Sequence, residues 1–257
     1  MLNVRRDDTM ASLSEHYVLA VTPPCYNGTP FLPRAVKLLE QATRSEESDF
    51  VLVIAEDGSD SSDVVGRLML EYLDILYFHN SERLGRGKAL MEAWRRVNAD
   101  IYLFMDADLS TDLSQMNAYP NLVRKVREAR FDLVTGSRYH PDSKTYRPII
   151  RWIASIVYNK IVRLLFRSEV SDHQWGFKAF SAHLIRALSD TVRSSSWFWD
   201  TEVIIIAQKK GFRVTEIPVF WVEMKGPNTP LRRLFKDIWL HGTGILGLLW
   251  RVYSGGL

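Results

Sequence analysis

Cysteine is nearly absent from this 257-residue chain. Cys25 stands alone, so neither an internal disulfide framework nor a zinc site built from several cysteines can form, and a reducing compartment is the expectation. Charge imbalance is missing too: 33 basic against 30 acidic residues leave a net charge of +3, too little to point to nucleic acid as a partner. No apolar run reaches the roughly 18 residues that span a bilayer. The stretch M-L-N-V-R-R-D-D-T-M-A-S-L-S-E-H is polar and mixed in charge, unlike a signal peptide, and reads as a frayed lead-in. A cytoplasmic chain, soluble or lying on a membrane surface, is expected. The dinucleotide fingerprint G-x-G-x-x-G is also lacking, and L-G-R-G-K-A has neither the spacer nor the Ser/Thr of a P-loop.

Against these absences stands an ordinary globular composition, 46% hydrophobic and 25% charged. From Tyr17 to about Thr135, short apolar runs alternate with helical patterns. Y-V-L-A-V-T, F-V-L-V-I-A, I-L-Y-F-H and I-Y-L-F-M read as buried strands, and F-D-L-V-T-G-S-R as a fifth. Between them P-F-L-P-R-A-V-K-L-L-E-Q-A-T, S-S-D-V-V-G-R-L-M-L-E-Y-L and R-G-K-A-L-M-E-A-W-R-R-V have helical period, the prolines of the first standing near its start, where they are tolerated. Continuous apolar strands separated by helices predict an α/β fold, a mostly parallel sheet covered on both faces. Ligands bind at the carboxyl ends of such strands, where T-P-P-C-Y-N, E-D-G-S-D and D-A-D all fall. Further on come a basic aromatic helix, R-P-I-I-R-W-I-A-S-I-V-Y-N-K-I-V-R-L-L-F-R, the segment S-D-H-Q-W-G-F-K-A-F, more helices, the strand R-V-T-E-I-P-V-F-W and a last helical stretch. The expected organisation is a flexible lead-in (1–16), one domain (17–230) and a C-terminal amphipathic helix (231–257).

Asp106 and Asp108 end the I-Y-L-F-M strand, and their i, i+2 spacing puts both side chains on one side of an extended segment. An unpaired carboxylate in a core is costly, so either the strand surfaces in a solvated turn or the pair holds a cation. Two hard oxygen donors side by side suit Mg2+ or Mn2+, completed by phosphate oxygens and water. Three polar clusters on one rim favour the cation. Glu56-Asp57-Gly58-Ser59 closes another strand in a glycine turn; Ser61 or Ser62 can cap the next helix, which leaves Asp57 to accept an N–H from a uracil or guanine base. Lys88, in the first turn of its helix, can neutralise a diphosphate.

The order P-x-Y-N, x-D-G-S, L-G-x-G-K, D-A-D, G-S-R, D-x-Q-x-G-F-K and W-x-x-D-x-E resembles family 2 glycosyltransferases with the GT-A fold, over nearly the whole chain after Tyr17. S-D-H-Q-W-G-F-K-A-F, W-F-W-D-T-E-V-I-I-I-A-Q and E-I-P-V-F-W-V-E-M-K-G are most similar to the dolichyl-phosphate glucosyltransferase branch, which is related to the dolichyl-phosphate mannose synthases. That resemblance implies a Rossmann-like sheet in which Pro24, Tyr26 and Asp57 line the nucleotide base, Lys88 sits near the diphosphate, Asp106 holds ribose and metal, and Asp108 is the main metal ligand. It further implies that Ser137 and Arg138, with Gln174, Gly176, Phe177 and Lys178, border the donor sugar and the acceptor phosphate. The chain departs from the family pattern at Gly28, where Glu is usual, at Glu56 for Asp, and at His173 and Trp175 for Thr and Cys.

The nucleophile decides whether such an enzyme needs a base. A sugar hydroxyl must lose a proton during attack, whereas a polyprenyl phosphate, with a second pKa of about 6, is already an anion near neutral pH. Asp200 and Glu202 are the candidate bases. Two apart on a helix, they diverge by about 200° and cannot both face the site; Asp200 equally suits a helix-start carboxylate satisfied by the dipole. For the acceptor, Lys144, Arg147 and Arg151 share one side of their segment, and Lys160, Arg163 and Arg167 another. In the last helix Arg232, Arg233 and Lys236 lie opposite Leu231, Leu234, Phe235 and Ile238. Packing on the sheet and an interfacial position at lipid headgroups both produce such stripes. The expectation is an inverting, metal-dependent transfer of glucose from UDP-glucose to dolichyl or polyprenyl phosphate, by an enzyme peripheral on the cytosolic face of a membrane. Mannose transfer from GDP-mannose, a non-catalytic nucleotide-sugar binding module and a peripheral membrane adaptor are the alternatives.

Overall fold

A computed structural model describes residues 3–4, 15–45, 47, 49–72, 74–107, 118–146, 148–222 and 231–256, with backbone alone at 3–4, 118–119, 150, 222 and 231–238. In chain order the elements are β1 (Asn3–Val4), β2 (His16–Thr22), β3 (Pro24–Cys25), α1 (Leu32–Arg44), β4 (Phe50–Asp57), α2 (Ser62–Glu71), β5 (Ile75–Asn80), α3 (Arg86–Trp94) and β6 (Asn98–Met105). They continue with α4 (Ala118–Arg127), β7 (Leu133–Ser137), β8 (Lys144–Tyr146), α5 (Ile149–Phe166), β9 (Phe177–Ser181), α6 (Ala182–Leu188), α7 (Trp199–Lys209), β10 (Val214–Pro218), β11 (Phe220–Val222) and α8 (Leu231–Tyr253).

The main sheet runs β1-β5-β4-β2-β6-β9-β7-β10, with β3 also paired to β4. Its centre, β5-β4-β2-β6, is parallel, as continuous apolar strands require. Period-2 alternation divides each strand between two cores. On β4, Val51, Val53 and Ala55 join the layer of α3, α5, α6, α7 and α8, while Leu52 and Ile54 join that of α1, α2 and α4. Trp94 and Trp199 are fully buried in the first layer, 6.2 Å apart and packed around Phe180.

Three features differ from the sequence expectation. S-D-H-Q-W-G-F-K-A-F holds a strand, β9, which slots antiparallel between β6 and β7 and so separates two strands that are consecutive in the parallel reading. The strand R-V-T-E-I-P-V-F-W breaks at Val219: β10 pairs with β7, whereas β11 leaves the sheet to pair with β8. Two residues of the expected lead-in form β1, antiparallel to β5. Ile245 and Leu248 of α8 are buried, and Gly244 packs on the Phe198 ring.

Candidate active site

At the carboxyl end of β4, the expectation of a free Asp57 is corrected. Its carboxylate is 4% exposed; Oδ1 accepts from Leu84 N at 2.5 Å, and both oxygens accept from Gly85 N at 3.1 and 3.0 Å. Asp57 thereby fixes the loop that enters α3. Glu56 holds the turn itself, accepting from Ser59 Oγ at 2.7 Å, Ser61 N at 3.0 Å and the Tyr77 hydroxyl. Burial, then the Glu56 bond, drives the Tyr77 hydroxyl pKa far above the ordinary range. Ser61 does occupy the helix N-cap, but its hydroxyl meets Thr29 Oγ1 at 2.9 Å and makes no cap bond. Gly28, the departure in P-x-Y-N, is where the chain closes on the buried Cys25 thiol: a Cβ there would collide with Sγ. Burial raises that thiol's pKa to about 11. Tyr26 stands outside this tight turn, 45% exposed, with the Arg83 guanidinium 3.8 Å over its ring, and Pro24 is half-buried on β3.

The N-terminus of α3 carries both Arg86 and Lys88. Lys88 is exposed. Arg86, about 200° away on the helix, turns into the site: Nη1 donates to Asp106 Oδ1 at 2.8 Å, and Nη2 pairs with Asp200 Oδ2. Its Cζ lies 4.1 Å from the centroid of the Trp197 ring and 5.6 Å from that of Phe104. Gly87 N donates to Ser195 O at 2.9 Å, and Gly85, at φ +94°, lies so close to that carbonyl that a Cβ would collide with it. The segment before α7 thus sits over the start of α3.

Asp106 follows β6, its side chain 33% exposed and its N–H donated to Gly176 O at 2.9 Å. A Cβ on Gly176 would run into the Asp106 carboxylate, so glycine is what makes room for that carboxylate. Asp108 lies outside the described residues.

The residues expected around sugar and acceptor form a buried polar floor. Lys178 and Asp200 are both 0% exposed, with Nζ 2.7 Å from Oδ1 and also donating to Trp175 O. Burial pushes Lys178 well below the ordinary lysine range, helped by Arg86 and opposed by Asp172 and Asp106; in either protonation state its amine donates to Asp200. Each oxygen of Asp200 therefore faces a cation, one Lys178 and the other Arg86. Arg138 grips Asp172 through Nε and Nη2, each at 2.7 Å, above the Trp175 and Trp221 rings. Burial acts to raise the Asp172 carboxyl, but Arg138 holds it below the usual range. Ser137 is buried against Ser171 Oγ at 2.9 Å, and Glu216 accepts from Ser171 N and Asp172 N at 2.9 Å each. Gln174 donates to Thr201 Oγ1 at 2.6 Å, joining its loop to α7.

Glu202 does not join the rim. On the far face of α7 from Asp200, it accepts from Ser194 N at 2.6 Å and pairs with Arg251 of α8. The 200° divergence foresaw that split without saying which carboxylate faces inward. Arg86 is the principal site residue that sequence reasoning missed. Its signal was present in L-G-R-G-K, where the same divergence allows only one of the two cations to face the strand ends.

The described site joins the ends of β4 and β6, the start of α3 and the start of α7, as in sheets that bind ligands at their carboxyl edge. The chain's residues 21–188 match the model of the glycosyl transferase family 2. It is 39% identical over 238 residues to "Glycosyltransferase AglD" of Haloferax volcanii, covering 91% of this chain and 37% of that protein. A "Dolichyl-phosphate beta-glucosyltransferase" of Dictyostelium discoideum is 25% identical over 258 residues, covering 93% of this chain and 78% of that one. Among solved structures, glucosyl-3-phosphoglycerate synthase from Mycobacterium tuberculosis, in complex with Mn2+, UDP and glucosyl-3-phosphoglycerate, superposes with a TM-score of 0.62 at 16% identity, over 95% of this chain and 85% of that one. The chain belongs to glycosyl transferase family 2, and its fold is the GT-A fold.

Proposed function

We propose that this protein transfers glucose from UDP-glucose to a dolichyl or polyprenyl phosphate, with inversion and with a divalent ion, at the cytosolic face of a membrane. The observation that carries the reading is the state of Asp200. A general base must be open to the proton it removes, and this carboxylate is 0% exposed, one oxygen ion-paired with Arg86 and the other with Lys178. Glu202 faces the other way. The described site thus positions its reactants and offers no carboxylate at the floor to deprotonate an alcohol. A phosphate monoester suits it, being ionised before it arrives.

Asp106 fits Mg2+ or Mn2+ as a hard-oxygen donor at a strand end, its carboxylate seated against Gly176. Among the described residues no group of three His, Cys, Asp or Glu side chains gathers, so Asp108, phosphate oxygens and water are the remaining donors this reading assigns. When bound, such an ion supplies Lewis-acid stabilisation of the departing diphosphate. Tyr26 offers an exposed ring, backed by Arg83, for the base to stack on. Asp57 acts one step back, by setting the loop from which Arg86 and Lys88 project. Gln174 and Arg138 are held rigid beside the floor, as electrostatic preorganisation requires.

The lipid reading rests on α5 and α8. Ile149, Ile153, Val157, Ile161 and Leu164 form an exposed apolar stripe on α5, and Leu246, Trp250 and Tyr253 are exposed on α8. Tyr253 OH donates to Leu165 O at 2.7 Å, which sets the two helices side by side. Lys160, Arg163 and Arg167 are exposed on the neighbouring arc of α5. An apolar face edged by cations suits anionic headgroups. Arg147 and the side chains of Arg232, Arg233 and Lys236 lie outside the described residues. Among the described residues no helix is long and apolar enough to cross a membrane.

Radiolabelled UDP- and GDP-sugars, offered with polyprenyl phosphate in vesicles with and without EDTA, test the proposal. Glucose should enter the lipid fraction from UDP-glucose and stop with EDTA. Mannose incorporation from GDP-mannose in its place would overturn the sugar assignment, and nucleotide binding with no product from any donor would overturn the activity.

A further inference from the structure

Arg86 is built into the site in a way that base, sugar and acceptor do not explain. Its side chain is only 10% exposed, and its guanidinium is flanked by the Trp197 and Phe104 rings. One end of the fork holds Asp106 and the other holds Asp200, whose second oxygen is fixed by Lys178. The planar guanidinium therefore ties a half-exposed carboxylate to a fully buried one, a bridge that a single ammonium cannot reproduce. The backbone of Asp106 is pinned at Gly176 O, so it is the side chain that Arg86 controls.

Resting on the donor-site reading above, we propose that Arg86 is a positioning residue that couples metal binding to nucleotide binding. While the diphosphate is absent, Arg86 holds Asp106 and supplies the positive charge that the carboxylate needs. A divalent ion arriving alone must compete for that carboxylate and sit against a guanidinium. A diphosphate arriving with it adds negative charge beside Arg86, which lets the guanidinium share or leave Asp106. Metal and nucleotide then tighten each other, by the same factor in both directions.

Manganese titration read by the electron paramagnetic resonance of the free ion, with and without UDP, tests this without any turnover. In the unaltered protein UDP should tighten Mn2+ binding about tenfold or more, within the usual span of coupling between sites. Arg86→Gln should bind Mn2+ alone about tenfold more tightly, and the effect of UDP should fall to roughly threefold or less. Should Arg86→Gln fail to fold, Arg86→Lys keeps a charge beside buried Asp200 yet cannot bridge both carboxylates; Mn2+ alone should then bind at least about threefold tighter. Variants whose Mn2+ affinity and UDP effect match the unaltered protein would overturn the role of Arg86 while leaving the donor site standing. Absence of Mn2+ binding in every protein, even with UDP, would overturn the donor-site reading and this inference together.

Discussion

The two sides of the strand-end rim treat their polar residues differently. On the side of β4, α3 and β6, Tyr26, Lys88 and Asp106 present side chains to solvent. On the side of β7, β9 and α7, Ser137, Asp172, Lys178 and Asp200 are each 0% exposed and bonded to one another or to neighbours. On the function proposed above, one side offers groups to a ligand and the other is a floor that shapes where a ligand can sit. A buried polar group left unpaired is costly, and most of the floor's polar side chains are paired. Arg86 belongs to both sides and joins them.

That contrast separates losses of stability from losses of function. The largest stability effect is expected from Lys178→Met, which leaves buried Asp200 with one partner; breaking a buried pair costs about 3–5 kcal/mol, to be read as a lowered urea midpoint. A loss under about 1 kcal/mol would show the floor to be looser than drawn. His173 sits on the same side, buried between Asn159 Oδ1 at 2.8 Å and Ser168 Oγ at 2.9 Å, and burial lowers its pKa from 6.5 to about 4. Because the folded form resists protonation, this stabilisation is full above pH 6.5 and is lost as pH falls toward 4. Roughly 3 kcal/mol is at stake. Denaturation at pH 7.5 and pH 5 should show stability falling with acid, and His173→Gln should flatten the dependence.

On the exposed side, function should fail while the fold survives. Gly176→Ala puts a methyl group into the Asp106 carboxylate, and transfer should drop about a hundredfold, near 3 kcal/mol, with an unchanged melting profile. Tyr26→Ala should weaken UDP binding about tenfold in calorimetry, as expected of a lost stacking partner. Smallest in stability, within about 0.5 kcal/mol, is Leu164→Glu on the outer face of α5. It should nonetheless reduce sedimentation with anionic vesicles.

Much of the fold could be read from the chain because its central strands are apolar on both faces, as F-V-L-V-I-A and I-Y-L-F-M show. The antiparallel β9 was not legible: Phe177-Lys178-Ala179-Phe180 is short, and its Lys178 looks like a surface residue until Asp200 and Trp175 O are seen around it. The site was legible in its residue types and less so in their partners. Asp57, Glu202 and Arg138 were each singled out, yet their bonds run to Leu84 and Gly85, to Ser194 and Arg251, and to Asp172, contacts 27, 28, 8, 49 and 34 residues apart along the chain. No local pattern announces such contacts. Helical geometry did carry one long-range statement, the opposite facing of Asp200 and Glu202, because it follows from 100° per residue alone.

The most direct test of the account is a comparison of acceptors. Polyprenyl phosphate and the matching neutral polyprenol should be offered, in the same vesicles, with UDP-glucose and Mn2+. A floor whose inward carboxylate is held by Arg86 and Lys178 should glucosylate the phosphate and leave the alcohol untouched. Transfer to the alcohol at a comparable rate would mean that a base operates in the site, and would contradict the reading of Asp200.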